Sequence, residues 1–170
     1  MNKNLKLNIG ITLWTLTSKE IRRFMRIWVQ TLVPPAVTMT LYFVIFGSLI
    51  GPRIGEMDGF DYVQFMIPGL IMMSVITGSY ANVVSSFYSV KFQKSIEELL
   101  ISPMPNWVIL LGFILGGVTR GILVGIIVFC VSLFFYPEFQ IVNIGLTLTV
   151  LLLTSVLFAL MGFINAVFAD

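Results

Sequence analysis

Four long apolar stretches dominate the chain, from about Gln30 to Ile50, Val63 to Phe87, Asn106 to Phe135 and Ile144 to Phe168. Each is long enough to cross a bilayer core of about 30 Å, which takes about 20 helical residues. Helices are expected because a helix satisfies its own backbone groups in lipid. Ahead of them, residues 11–28 follow a different pattern. Trp14, Ile21, Phe24, Met25 and Trp28 recur at three-, four- and seven-residue spacing, and Thr12, Thr15, Lys19, Arg22, Arg23 and Arg26 fall on the opposite face. This predicts an amphipathic helix along the membrane surface, its bases near anionic head groups. It serves either as an insertion anchor or as a lever on the first span. Between spans two and three, Phe92, Ile96, Leu99 and Leu100 form a stripe at i, i+4, i+7 and i+8, while Lys94, Glu97 and Glu98 face elsewhere. Ser102-Pro103-Met104-Pro105 ends that helix, since proline removes a donor and restricts the residue before it. A short exposed helix of this kind suits a partner groove, or else lies on the membrane.

Composition agrees. Of 170 residues, 58% are hydrophobic and only 11% charged, where a soluble domain has roughly 25% charged residues. Such a chain folded in water would expose large apolar patches and aggregate. A soluble enzyme, a disordered tail and a nucleic-acid module are therefore excluded. The expected fold is an all-α integral membrane protein. A cytoplasmic N-terminus (1–29) holds the interfacial amphipathic helix. A transmembrane domain (30–170) holds four spans, at about 30–50, 63–87, 106–135 and 144–168. A short cytoplasmic helix lies between spans two and three.

The net charge of +2 says little as a total; placement says more. Lys3, Lys6, Lys19, Arg22, Arg23 and Arg26 precede span one, and Lys91 and Lys94 follow span two. The opposite side holds Arg53, diluted by Glu56, Asp58 and Asp61, and the loop around Glu138 has no base. The positive-inside rule places the N-terminus in the cytoplasm, segments 51–62 and 136–143 outside, and Asp170 back inside. Trp28, Tyr88 and Trp107 fall at inner boundaries and Tyr62 and Tyr136 at outer ones, as aromatic belts require. Residues 1–29 are polar for longer than a signal-peptide n-region, so span one is expected to act as its own insertion signal.

Candidate chemistry is sparse. The chain has no histidine and one cysteine, Cys130. That removes histidine bases and most zinc sites, and no phosphate-binding Gly-Lys loop occurs. Catalytic, cofactor-binding and metal sites are not expected. Glu97 and Glu98 diverge by about 100° on a helix, so they read as exposed charges and not as a catalytic pair. No Asp or Glu lies inside a span. The one charge there is Arg120, fifteen residues past Pro105 and so roughly 22 Å along its helix. It should face the bundle or a wet cavity, in a structural or a functional role. The same span carries Gly117, Gly121 and Gly125 at four-residue spacing, with Gly112 and Gly116 beside them. Small residues let helices approach closely. Ser74, Gly78, Asn82 and Ser86 make a small and polar stripe on span two, suited to packing or to lining a pathway. Pro34-Pro35 and Pro68-Gly69 are read as lying near span starts, where a missing N–H costs least.

Four features together resemble the ABC-2 type transporter permease family, the membrane subunits of ATP-driven exporters. They are the amphipathic helix, Ile67-Pro68-Gly69-Leu70 opening span two, Glu97-Glu98-Leu99-Leu100-Ile101-Ser102-Pro103 after it, and the glycine-rich third span. Lys94-Ser95-Ile96-Glu97 and Gly112-Phe113 depart from the family's usual Arg-Glu-x-Gly-Thr and Gly-Lys. The resemblance implies that residues about 91–102, with Phe92, Ile96, Glu97, Glu98, Leu99 and Leu100 in contact, form a coupling helix docked on a nucleotide-binding ATPase. ATP and Mg would belong to that partner, and no cofactor to this chain. It further implies a second permease copy in a homodimer, the bilayer of a bacterial inner membrane, and no nucleic acid. Family members usually have six spans, so a truncated member lacking the last two is the expectation. The rival readings are a secondary carrier or channel, which would need an embedded acid, a non-transporting membrane scaffold, and a membrane enzyme, whose catalytic residues could not be named.

Overall fold

The computed structural model describes residues 8–57, 59–137 and 143–169. Lys3, Lys6, Asp58, Glu138 and Asp170, used above for topology, lie outside the described residues. The chain folds as α1 (Ile9–Arg26), α2 (Trp28–Tyr42, continued by a π-helical Phe43–Ile50), α3 (Gly51–Ile54), α4 (Tyr62–Phe92), α5 (Ser95–Ile101), α6 (Asn106–Phe135) and α7 (Ile144–Phe168). Two-residue strands β1 (Glu56–Met57) and β2 (Phe60–Asp61) pair antiparallel between α3 and α4, turning at Gly59, whose φ of +82° favours glycine. Four helical stretches are long and apolar enough to span: Trp28–Gly47 and the whole of α4, α6 and α7. The protein is thus an all-α membrane bundle with an additional N-terminal helix.

Local chemistry sets the breaks. Ile27 leaves helical geometry between α1 and α2, and the Thr31 hydroxyl donates across the break to the Phe24 carbonyl at 3.2 Å. Lys94 adopts a left-handed φ of 58° between α4 and α5. Pro103 and Pro105 separate α5 from α6, which starts at Asn106 as the sequence predicts. Asn143 caps α7, its side chain accepting from the Leu146 N–H at 3.1 Å, so one of the helix's orphan donors is satisfied. At the other end of α7 the Lys91 ammonium donates to the carbonyls of Val167 and Ala169, a cation where the helix dipole favours one.

Two positions differ from expectation. Pro34 and Pro35 lie in the interior of α2, seven and eight residues into a helix that begins at Trp28. Pro68 is likewise interior to α4. Each removes a donor to the carbonyl four residues before it. Helix α1 turns its Trp14 face away from the bundle. Leu16, Thr17, Glu20 and Phe24 are buried, whereas Trp14, Met25 and Trp28 are exposed. The bundle therefore takes a face centred on an acid, and the most conspicuous apolar residues face outward.

Helices α4 and α6 form the central pair, with α7 on α4 and α1 on α6. Glycines make this closeness possible. A Cβ at Gly117 would lie 2.5 Å from Val83 Cγ2 and 3.0 Å from the Ser79 carbonyl oxygen, and one at Gly121 would lie 3.0 Å from the Val75 carbonyl oxygen. Gly125 meets Val75 in the same way. On an adjoining face, Gly112 and Gly116 receive Leu16 and Glu20 of α1. α7 adds its own small stripe, Ser155, Ala159, Gly162 and Ala166, all buried. Two apolar clusters complete the core. One joins Phe87, Ile109, Phe113 and Ala166. The other joins Met39, Phe43, Ile67 and Val128, where the Phe43 and Phe135 rings stack at 5.8 Å.

The packing yields a direct expectation. Gly121→Ala should destabilise the bundle by about 1–3 kcal/mol, because its methyl meets backbone that cannot yield. Gly69→Ala, with nothing within 4 Å of the new methyl, should be neutral or mildly stabilising. Equilibrium unfolding in mixed micelles checks the contrast, and equal behaviour of the two variants would contradict the close seam.

Candidate functional site

Two features stand out. The first is a polar cluster inside the bundle. Glu20 of α1 is 1% exposed and sits against Gly116, ten residues into α6, roughly 15 Å along that helix. Its carboxylate accepts from the Ser86 hydroxyl at 2.5 Å and from Arg23 Nε at 3.3 Å. The Arg23 guanidinium also donates to the Asn82 backbone carbonyl at 3.2 Å and to Asn82 Oδ1 at 3.1 Å. One acid and one base of α1 thus hold two consecutive turns of α4. A buried charge needs such partners to be tolerated. Sequence reading missed Glu20. It counted acids only within the spans, and an interfacial helix can deliver one from outside them. The available signal was its register, four residues from both Leu16 and Phe24.

Arg120 lies near this cluster, half-buried, and its Nη2 donates to the Thr31 carbonyl in a long bond of 3.4 Å. That carbonyl would ordinarily accept from residue 35, but residue 35 is proline. The span's one arginine therefore serves a backbone oxygen that Pro35 leaves unpaired, which accounts for its partner without an acid. Buried Asn82 Nδ2, Thr17 Oγ1 and Arg120 Nε have no hydrogen-bond partner among the described residues. Gly78 faces α6, and Ser74 is buried one turn before it. The Ser74 hydroxyl bonds its own helix at Leu70, and a Cβ on Gly78 would lie 3.3 Å from Gly121 Cα. Gly117, Gly121 and Gly125 meet α4. Of the intramembrane residues singled out from sequence, Asn82 and Ser86 join the Glu20 cluster, and Gly116 packs beside it. Arg120 binds α2, and the others form helix contacts. A separate apolar groove of about 730 Å³ opens between α4, α6 and α7, lined by residues such as Val75, Ile122, Phe129 and Leu151.

The second feature is α5. Its sequence-predicted stripe divides in two. Ile96 and Leu99 pack back onto the cluster of Phe87, Ile109 and Phe113. Phe92 and Leu100 are exposed, joined by Ile101 at 85% exposure. Glu97 and Glu98 are exposed in the first turn, where negative charge suits the helix dipole. A seven-residue helix has few contacts to spare, so half its apolar side chains hold it in place. Ile101 was absent from the sequence-derived contact set because it falls off the i, i+4, i+7 register.

These features define the class: a polytopic helical membrane protein with a short helix anchored between its long spans α4 and α6. Comparison with known proteins identifies the family. Residues 12–170 match the ABC-2 type transporter family, and the chain belongs to it. The chain is 60% identical over 159 residues to the inner membrane transport permease YadH of Escherichia coli K12, covering 94% of this chain and 62% of the relative. The same figures hold for the YadH proteins of E. coli O157:H7 and Shigella flexneri. The chain thus spans 62% of the length of these curated relatives. No solved structure matches it. The ABC-2 type family is a family of transporters.

The Glu20 cluster predicts a mutational ordering. Glu20→Ala leaves Arg23 and Ser86 without their shared acceptor and should cost about 2 kcal/mol, as for hydrogen bonds to a charged group. Lys19→Gln, one residue away and exposed, should stay within about 0.5 kcal/mol. Equal losses in a micellar unfolding titration would rule out the special position of Glu20.

Proposed function

We propose that this chain forms part of the translocation pathway of an ATP-driven exporter in a bacterial inner membrane, and that a separate ATPase subunit drives it through α5. The observation that carries this reading is the outward exposure of large apolar side chains around α5, Phe92 at the end of α4 and Leu100 and Ile101 at the end of α5. A protein surface seldom leaves such a patch unpartnered. Glu97 and Glu98 supply charge beside it. Ile96 and Leu99 root the same short helix in the core between α4 and α6, so a push on the outer half of α5 reaches the spans through packed side chains. The partner binds and hydrolyses ATP with Mg; this chain contributes the lever and the path. A pathway between two subunits calls for a second copy of the permease. The basic residues flanking α1 and α5 support a cytoplasmic location for both helices. The printed name of the relatives, inner membrane transport permease, supports the location and the transport role.

Glu20 favours a second reading, a carrier driven by protons, because a buried carboxylate is what such a carrier requires. Its engagement by Arg23 and Ser86 favours a structural role instead. Depleting ATP while a proton gradient is maintained separates the two: export stops under the first reading and continues under the second.

Two further outcomes are expected. Leu100→Asp with Ile101→Asp should abolish co-purification of the ATPase while leaving the bundle folded. Ile96→Asp with Leu99→Asp should weaken the fold itself, by about 1–3 kcal/mol per site. Undiminished co-purification in the first variant would rule out docking on α5. For topology, Glu97→Cys in a Cys130→Ser background should react with a membrane-impermeant maleimide only after cells are opened, and Arg53→Cys should react in intact cells. The reverse pattern would invert the assignment and defeat the coupling reading.

A further inference from the structure

Helix α1 presents three sectors. One is buried in the bundle around Glu20. A second carries Ile11, Trp14 and Met25, all exposed and apolar, and in a bilayer it lies against lipid. The third carries Lys19, Arg22, Arg23 and Arg26, which with Trp14 and Ser18 line a groove of about 530 Å³ turned away from the bundle. The helix has a single acid, Glu20, and it points the other way. Among the described residues Arg23 alone of these four cations forms an ion pair. Lys19, Arg22 and Arg26 therefore hold positive charge that nothing on the helix neutralises.

We propose that this groove binds the phosphate of an anionic phospholipid headgroup. Charge complementarity requires an anion. The choice of a lipid follows from continuity, because Trp14 borders both the groove and the lipid-facing stripe. The groove thus lies where headgroups meet acyl chains, at the level where an amphipathic tryptophan settles. A soluble anion would make no use of that adjoining apolar stripe. The lipid occupies the outer side of α1 while Glu20 and Arg23 hold its inner side to α4, so the bound headgroup fixes the helix from both faces. This inference does not depend on the ATPase reading.

The test uses the full chain with Trp28→Phe and Trp107→Phe, leaving Trp14 as its only tryptophan. It is reconstituted in phosphatidylcholine vesicles containing brominated phosphatidylglycerol or brominated phosphatidylcholine, whose bromines quench a neighbouring indole. The expected result is preferential quenching by phosphatidylglycerol, with a relative binding constant at least about tenfold above that of the triple variant Lys19→Gln, Arg22→Gln, Arg26→Gln, as loss of three surface cations implies. Arg22→Lys with Arg26→Lys keeps the charge and should keep the preference. Equal quenching by the two lipids in the unsubstituted groove would overturn the proposal, whatever the folding of the variants. Relief of quenching by soluble glycerol phosphate would reassign the groove to a soluble anion. An unchanged lipid preference in the triple variant, with loss of ATPase co-purification, would reassign it to an acidic protein surface.

Discussion

The bundle depends on how closely α6 lets its neighbours approach. Its glycines present bare backbone on two adjoining faces, one receiving α4 and the other α1. In lipid there is no hydrophobic drive to bring helices together, so close van der Waals contact and interhelical hydrogen bonds must supply the association. Gly117, Gly121 and Gly125 let the backbone of α4 come within contact distance. Gly116 makes room for the stem of Glu20. The glycine face thus does more than hold two spans together, because it also creates the place where a charged residue from outside the spans is buried.

That buried residue organises the polar chemistry where α1 meets the bundle. Glu20 is tolerated because Ser86 and Arg23 satisfy its carboxylate, and Arg23 in turn engages Asn82. A network of this kind rigidifies when its members are satisfied. Arg120 follows the same rule with a different partner, the Thr31 carbonyl that Pro35 leaves without a helical donor. The Thr31 hydroxyl meanwhile ties α2 back to α1 across Ile27. The first span and the N-terminal helix are therefore joined to the rest by polar contacts as well as by apolar packing.

The two short elements outside the long spans share one design. Both α1 and α5 divide their side chains between attachment and presentation. α1 inserts Leu16, Glu20 and Phe24 and presents a basic groove; α5 inserts Ile96 and Leu99 and presents Leu100 and Ile101. An element anchored on one face and free on the other can pass force from a partner to the spans. A fully buried helix could not be reached, and a fully free one could not push.

Much of this was legible in the sequence. The number of spans, the start of α6, the amphipathic character of α1, the separate short helix and the small-residue faces follow from hydropathy, proline placement and periodicity, because lipid forces each crossing segment to satisfy its own backbone. Residue type alone did not reveal which face of each amphipathic helix the protein would take. Periodicity placed the Trp14 and Met25 face of α1 against the membrane, but it did not show that the bundle would take Glu20, for which Gly116 leaves space beside Ser86. In the same way, Leu100 and Ile101 were separated from Ile96 and Leu99 only once α5 had been placed against Phe87 and Phe113. The partner of Arg120 required knowing that α2 begins at Trp28, which puts Pro35 deep enough to strand a carbonyl. Local periodicity determines that a helix has faces; only the shapes of its neighbours decide which face is buried.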